Sequence, residues 1–271
     1  MAIRVGNESL PALWACALRL GFASILFAVI LLVAKQPLPK GEALKAALWY
    51  GMLEFGISLP LLYWGEKAVS SGLAAVLYAI CPVATMIGAR LMGFEKLDPR
   101  RLGAAVFAFL GVAVIFWRQV LAGGSAVGLL CVFLAALCGS AAALMYQRGP
   151  KQSALAANAV GTFVGFVPAL LVSFLAGEPH PLPTTFGSLF PIAYLAVASS
   201  IVAFGLFAWL IGHWNASTVS FLGVIVPVIA VFVGYLALHE ALAPGSIVGA
   251  GVVLASVSVA LLSDKQPRTT N

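Results

Sequence analysis

The chain has 271 residues, 62% of them hydrophobic and only 9% charged, with a mean hydropathy of +1.06. A soluble domain is about half apolar and a quarter charged, so this composition excludes a water-soluble globular fold. The net charge of +6 does not imply nucleic acid as a partner. Most lysines and arginines stand in short connections between apolar runs, where they set membrane topology. The apolar runs reach the roughly 18–25 residues needed to cross about 30 Å of hydrocarbon. The chain therefore reads as an all-α polytopic membrane protein in a lipid bilayer. An outer-membrane barrel would instead show alternating strands of about ten residues.

In chain order, residues 1–11 are polar and lack the apolar core of a cleavable signal peptide. Nine spans are predicted, at 10–34, 44–65, 71–92, 101–117, 127–147, 154–175, 188–210, 217–238 and 245–263. The longest connection, AGEPHPLPTT after the sixth span, is proline-rich and polar, as an exposed turn requires. Residues 264–271 form a polar tail. Cys16, Cys81, Cys131 and Cys138 stand singly in apolar runs, without metal or C-x-x-C spacing, and read as small packing residues.

Alternating the connections between two faces puts Lys35, Lys40, Lys45, Lys96, Arg100, Arg101, Arg148, Lys151, Lys265 and Arg268 on one side. Only Arg4, Lys67 and Arg118 fall on the other. The positive-inside bias then makes the C-terminus cytoplasmic and the protein integral to the plasma (inner) membrane.

Trp64 to Val114 recurs without a gap 145 positions later, as Trp209 to Val259. Trp64 falls on Trp209, Pro82-Val83 on Pro227-Val228, Glu95 on Glu240 and Pro99 on Pro244. The two prolines and the glutamate between them, at identical spacing, mark an internal duplication. It divides the chain into a first repeat over 1–118 and a second over 122–263. In that register the fifth span has no counterpart in the first repeat, whose leading helix is expected to be absent. Five helices per repeat is an odd number, so the two copies insert in opposite senses. Such inverted repeats mark alternating-access transporters, whose site lies at the repeat interface near mid-membrane.

The first repeat carries AVLYAICPVATMIGARLMGFEKLDPRRLGAAVFAFLGVAVIF, and the second SFLGVIVPVIAVFVGYLALHEALAPGSIVGAGVVLASVSVALL. Together with LPALWACALRLGFASILF near the start, they resemble the EamA family of the drug/metabolite transporter superfamily. The family's repeat has a helix with a central proline, a turn bearing glutamate and a last helix rich in glycine and alanine. FEK and LHE stand where the family often has glycine before glutamate. The resemblance implies a ten-helix exporter or facilitator of small metabolites, with a central cavity shared by both repeats.

Arg19 and Glu54 are the two opposite charges deep inside spans. At 1.5 Å per residue both lie about 13–17 Å from the same face, so they are expected to meet. An isolated charge at that depth costs at least about 3 kcal/mol, which argues for pairing or a wet cavity. The pair could bind a zwitterion, with Glu54 a candidate proton carrier, or simply orient two helices. Trp49, Tyr78, Ser140 and Asn158 are further cavity candidates. Pro82 and Pro227 each remove a backbone donor in mid-helix, a kink that either gates a pathway or only packs. Gly88, Gly103, Gly111, Gly245, Gly249 and Gly251 are expected to allow close helix approach. Glu95 and Glu240 are expected to bond locally to the start of the next helix, with Asp98 capping around Pro99. Arg90 is expected to snorkel.

Enzymatic signals are missing from this sequence. His180, His213 and His239 have no metal-ligand spacing, and neither a phosphate-binding G-x-x-x-x-G-K-[ST] loop nor a nucleophile elbow occurs. The expectation is a non-enzymatic transporter, with no cofactor and no ATP, that exports small metabolites such as amino acids. The competing expectation is a truncated transporter homologue with a structural or assembly role and no flux.

Overall fold

The computed structural model describes residues 2–238 and 244–263. Glu240 and the polar tail over 264–271 lie outside the described residues. Every described secondary-structure element is a helix. Helix α1 is the short Ala2–Ser9, α2 is Ala12–Val33 and α3 is Gly41–Gly65. The expected span 71–92 is two helices, α4 (Ser71–Tyr78) and α5 (Cys81–Leu91). Then follow α6 (Pro99–Ile115), α7 (Trp117–Ala122), α8 (Ala126–Arg148), α9 (Ala154–Leu175) and α10 (Phe186–His213). The last three are α11 (Ala216–Val219), α12 (Leu222–Leu238) and α13 (Pro244–Leu262).

Among the described residues, eight segments are long and apolar enough to cross a membrane: α2, α3, α4 with α5, α8, α9, α10, α11 with the first part of α12, and α13. The expected span 101–117 appears as α6, which has 17 residues. Its rise of roughly 26 Å falls just short of the hydrocarbon thickness.

The two signature prolines do not act alike. Pro82 stands in the first turn of α5, directly after the helix breaks at Ala79 and Ile80. There its missing N–H leaves no bond unmade. Pro227 lies inside the unbroken α12, and the second repeat breaks earlier, at Ser220 and Phe221. The expectation of equivalent mid-helix kinks is corrected accordingly.

A second irregularity does recur in register. Met52–Ser58 within α3 and Leu195–Ala203 within α10 are wound as π-helix. Moved by 145 positions, the first falls inside the second. A π turn is rare and commonly sits at a functional site, because the wider turn displaces side chains and frees carbonyls from the regular ladder.

Between helices in lipid there is little hydrophobic drive, so close backbone approach and van der Waals packing hold them together. Helices α2 and α9, and α6 and α13, pack extensively against each other, and each pair joins equivalent helices of the two repeats. A Cβ built on Gly249 would lie 2.5 Å from the Gly111 carbonyl oxygen, and one on Gly111 would lie 3.0 Å from the Gly249 oxygen. Gly51 meets Gly161 in the same way, and Gly165 meets Phe55. Gly88 packs against Leu144, whereas Gly103 and Gly251 face open space, so only some of the expected glycines serve close approach.

Two larger buried apolar clusters stand out among the described residues. One gathers Cys16, Leu20, Tyr50, Phe55, Tyr63 and Ile211 among α2, α3, α8, α9 and α10. The other gathers Val76, Met86, Val112, Phe221 and Val253 among α4, α5, α6, α12 and α13. Gly249→Ala is expected to destabilise the fold by about 1–3 kcal/mol through overpacking. Gly251→Ala is expected to leave it unchanged, and thermal unfolding of the two variants in detergent distinguishes them.

Candidate functional site

The polar interior is organised by the two π segments. Arg19 on α2 is 1% exposed. Its Nε donates to Ser200 Oγ at 3.2 Å and its Nη2 to Ser199 Oγ at 2.9 Å. Both serines belong to the π segment of α10. Nη1 donates to Tyr63 OH at 3.4 Å, and the guanidinium lies 6.0 Å from the Tyr63 ring centroid. The cation is thus held by three hydroxyls, which solvate it where water is scarce.

Glu54 belongs to the other π segment and is 9% exposed. It shares a face with Tyr50 and Ser58, both fully buried. Tyr50 OH donates to Asn158 Oδ1 at 3.2 Å, while Asn158 Nδ2 donates to the carbonyls of Ala154 and Phe204. Ser58 Oγ donates to the Ala135 carbonyl at 2.8 Å and lies 3.3 Å from Tyr78 OH. Ser140 Oγ donates to the Ala136 carbonyl at 2.9 Å and lies 3.5 Å from the carbonyl of Cys81, the first residue of α5. The Glu54 carboxylate rests against α8, where a Cβ on Gly139 would lie 3.2 Å from its Oε2. Among the described residues Glu54 has no hydrogen-bond or ion-pair partner.

The structure therefore brings Glu54, Tyr78 and Ser140 together at the junction of α3, the α4–α5 break and α8, with Asn158 one contact away through Tyr50. It does not join Arg19 to Glu54, and no salt bridge forms between them. Arg19 is turned onto α10 and Glu54 onto α8. Trp49 is 59% exposed, beside the exposed Leu48, and lies outside the cluster. Arg90 is exposed at the end of α5.

Glu95 departs from its expected local role. Asp98 does cap α6, accepting from the Arg100 N–H at 2.8 Å. Glu95 instead accepts from Ser217 Oγ, on the other repeat, and lies 3.7 Å from Arg101 Nη1.

Ser58, Tyr50, Tyr63, Ser199, Ser200 and Gly139 were not singled out from the sequence. One of them was within reach, because the offset of 145 that joins the prolines also places Ser199 on Glu54. Each π segment thus presents a polar group at the same register, acidic in the first repeat and neutral in the second.

Glu178, in the proline-rich connection, is a further polar anchor. Its carboxylate accepts from the N–H groups of Leu13 and Trp14 at the start of α2, at 3.4 and 2.9 Å, and from Ser173 Oγ. A carboxylate is favoured there by the orphan donors and the positive end of the helix.

Removing the Ser199 and Ser200 hydroxyls leaves guanidinium donors without partners. Each Ser→Ala change is expected to cost about 1.5–3 kcal/mol. Trp49→Ala is expected to change stability by less than about 0.5 kcal/mol. Unfolding midpoints in one detergent check both.

The EamA-like transporter family matches this chain over residues 1–117 and 126–262. An uncharacterized transporter of Bacillus subtilis (strain 168), YoaV, is 25% identical over 95% of this chain and 89% of its own length. An uncharacterized inner membrane transporter of Escherichia coli (strain K12), YedA, is 25% identical over 86% of this chain and 76% of its own. A probable amino-acid metabolite efflux pump of the same organism is 26% identical over 96% of this chain and 88% of its own. A solved crystal structure at 15% identity shares the fold, with a TM-score of 0.79 over 95% of this chain and 91% of its own. With two family matches that between them cover nearly all of its helices, the chain belongs to the EamA-like transporter family.

Proposed function

We propose that this transporter exports small ammonium-bearing metabolites, amino acids among them, by alternating access between two inverted repeats. The observation that carries this reading is the Glu54 carboxylate. It is buried in mid-span without a hydrogen-bond or ion-pair partner among the described residues, on a π turn, beside Tyr78, Ser58 and the broken helix α4–α5. A lone intramembrane carboxylate marks a substrate or proton path, and an ammonium group supplies the charge and donors that this one lacks. Arg19, already solvated by hydroxyls and held against the π segment of the second repeat, provides a fixed positive pole toward which a substrate carboxylate is drawn. Glu54 can bind a proton when the amine leaves, which would couple flux to protons. A relative named as an amino-acid metabolite efflux pump supports the substrate class.

The proposed layout has nine crossings, with α6 the ninth, and a cytoplasmic C-terminus. The basic connections after α2, α5 and α8 support that orientation through the positive-inside rule. The recurrence of the π segments at the repeat offset supports the duplication, and the pairing of α2 with α9 and of α6 with α13 supports its symmetry.

In proteoliposomes, Glu54→Gln is expected to lower amino-acid or amine flux at least tenfold and to abolish its pH dependence. Gly139→Ala, which sets a methyl against the carboxylate, is expected to weaken apparent substrate affinity while the protein stays folded. Unaltered flux and pH dependence in Glu54→Gln would remove Glu54 from the site.

A further inference from the structure

On the face that carries Lys96 and Arg100, Glu95, Arg101, Ser217 and Thr218 form one buried polar cluster across the two repeats. Glu95 follows α5 and Arg101 opens α6, both in the first repeat. Ser217 and Thr218 lie on α11, in the second. Arg101 Nη2 donates to Ser217 Oγ at 3.1 Å and to Thr218 Oγ1 at 2.9 Å. Ser217 Oγ in turn donates to Glu95 Oε2, which faces Arg101 Nη1 at 3.7 Å. The α11 segment is also tied to α8, since Gln147 Oε1 accepts from the Ala216 N–H at 2.6 Å. All four members of the cluster are less than one-tenth exposed.

The duplication makes the opposite face a built-in control. At the offset of 145, Arg101 corresponds to Ser246, Ser217 to Gly72 and Thr218 to Leu73. Gly72 and Leu73 have no side-chain donor or acceptor. Gly72 packs instead against the Phe116 ring and Gln119. The Ser246 hydroxyl is turned to the Ile115 carbonyl at 3.5 Å. The second repeat therefore lacks both the guanidinium and the hydroxyls, so the same bond set cannot form on that face whatever Glu240 does.

We infer that Glu95, Arg101, Ser217 and Thr218 form a one-sided latch that sets the resting state of the transporter, closed on the basic face and freer to open on the other. Two inverted repeats with identical interfaces would open equally to either side. A charged latch on one side alone breaks that balance, because parting it exposes a carboxylate–guanidinium pair while parting its counterpart breaks apolar contacts. The pair suits a releasable closure. Buried ion pairs add little net stability, since desolvation offsets most of their attraction, and Glu95 Oε1 is buried without a hydrogen-bond partner. With the basic face cytoplasmic, the resting transporter faces outward, and opening the latch is the step that admits an internal substrate. That last consequence rests on the proposed export by alternating access, whereas the latch itself does not.

Ala74 and Val219 are equivalent at the repeat offset and almost equally buried, at 3% and 1% exposed. Each adjoins the corresponding closure, so they make a matched pair of reporters. In full-length protein whose four native cysteines are changed to alanine, Ala74→Cys and Val219→Cys are placed separately. Each is reconstituted in nanodiscs, where both faces are reachable, and labelled with a membrane-impermeant maleimide. With the latch native, Ala74→Cys is expected to label at least tenfold faster. Arg101→Gln is expected to raise the rate at Val219→Cys at least tenfold while leaving Ala74→Cys no faster. The swap of Glu95→Arg with Arg101→Glu is expected to restore slow labelling, because Ser217 and Thr218 hydroxyls can either donate or accept. Equal rates at the two sites with the native latch would overturn the inference, and that comparison needs no latch variant to fold. So would an unmoved Val219→Cys rate in a folded Arg101→Gln protein. Missing flux in proteoliposomes alongside intact labelling asymmetry would overturn the transport reading and leave the latch standing.

Discussion

Inside hydrocarbon a helix gains almost nothing from hiding apolar side chains, because the lipid is as apolar as its neighbour. What remains is close contact, and in this protein two such contacts are made where a glycine of one repeat meets a glycine of the other. Gly51 on Gly161 and Gly111 on Gly249 bring backbones to distances that no side chain would permit. The pairing of α3 with α9 and of α6 with α13 follows, and with it the interface between the repeats on which the polar interior is mounted.

Those contacts leave a short supply of interior volume, and the polar groups are placed in it unevenly. Arg19 donates to three protein hydroxyls, which support its charge without a carboxylate. Glu54 has no such support among the described residues, although it occupies the matching π turn. A buried group without partners is costly in the resting protein, and its persistence is understandable where a substrate or a proton completes it. In the proposed function, this contrast distinguishes the pole that anchors the fold from the pole that awaits a ligand.

The same unevenness recurs at the two faces. Duplicated halves begin identical, and differences between equivalent positions then decide in which direction a symmetrical frame leans. Arg101 against Ser246, and Ser217 against Gly72, give the basic face bonds that the other face cannot make. Glu178 acts in a different way, holding the start of α2 from the proline-rich connection. Both are charged side chains at helix ends, where backbone groups and nearby hydroxyls are free to meet them.

Hydropathy and spacing were enough, by themselves, to establish a polytopic helical membrane protein and the internal duplication, and to place Arg19 and Glu54 at similar expected depths. Each of these depends only on distance along the chain: an apolar run either is or is not long enough to cross, and a residue's depth follows from its rise. Which way a side chain points around its helix depends on neighbours far away in sequence. Only the tertiary structure turned Arg19 toward Ser199 and Ser200, and Glu54 toward Gly139, separating two charges that depth alone had paired. It also placed Trp49 on an exposed side, broke the helix before Pro82 but not at Pro227, and carried Glu95 across to Ser217. The π turns shift side-chain azimuth further, since a wider turn departs from the 3.6-residue period by which a helical face is read. Depth is a local property of the chain, and azimuth is set by what the helix packs against.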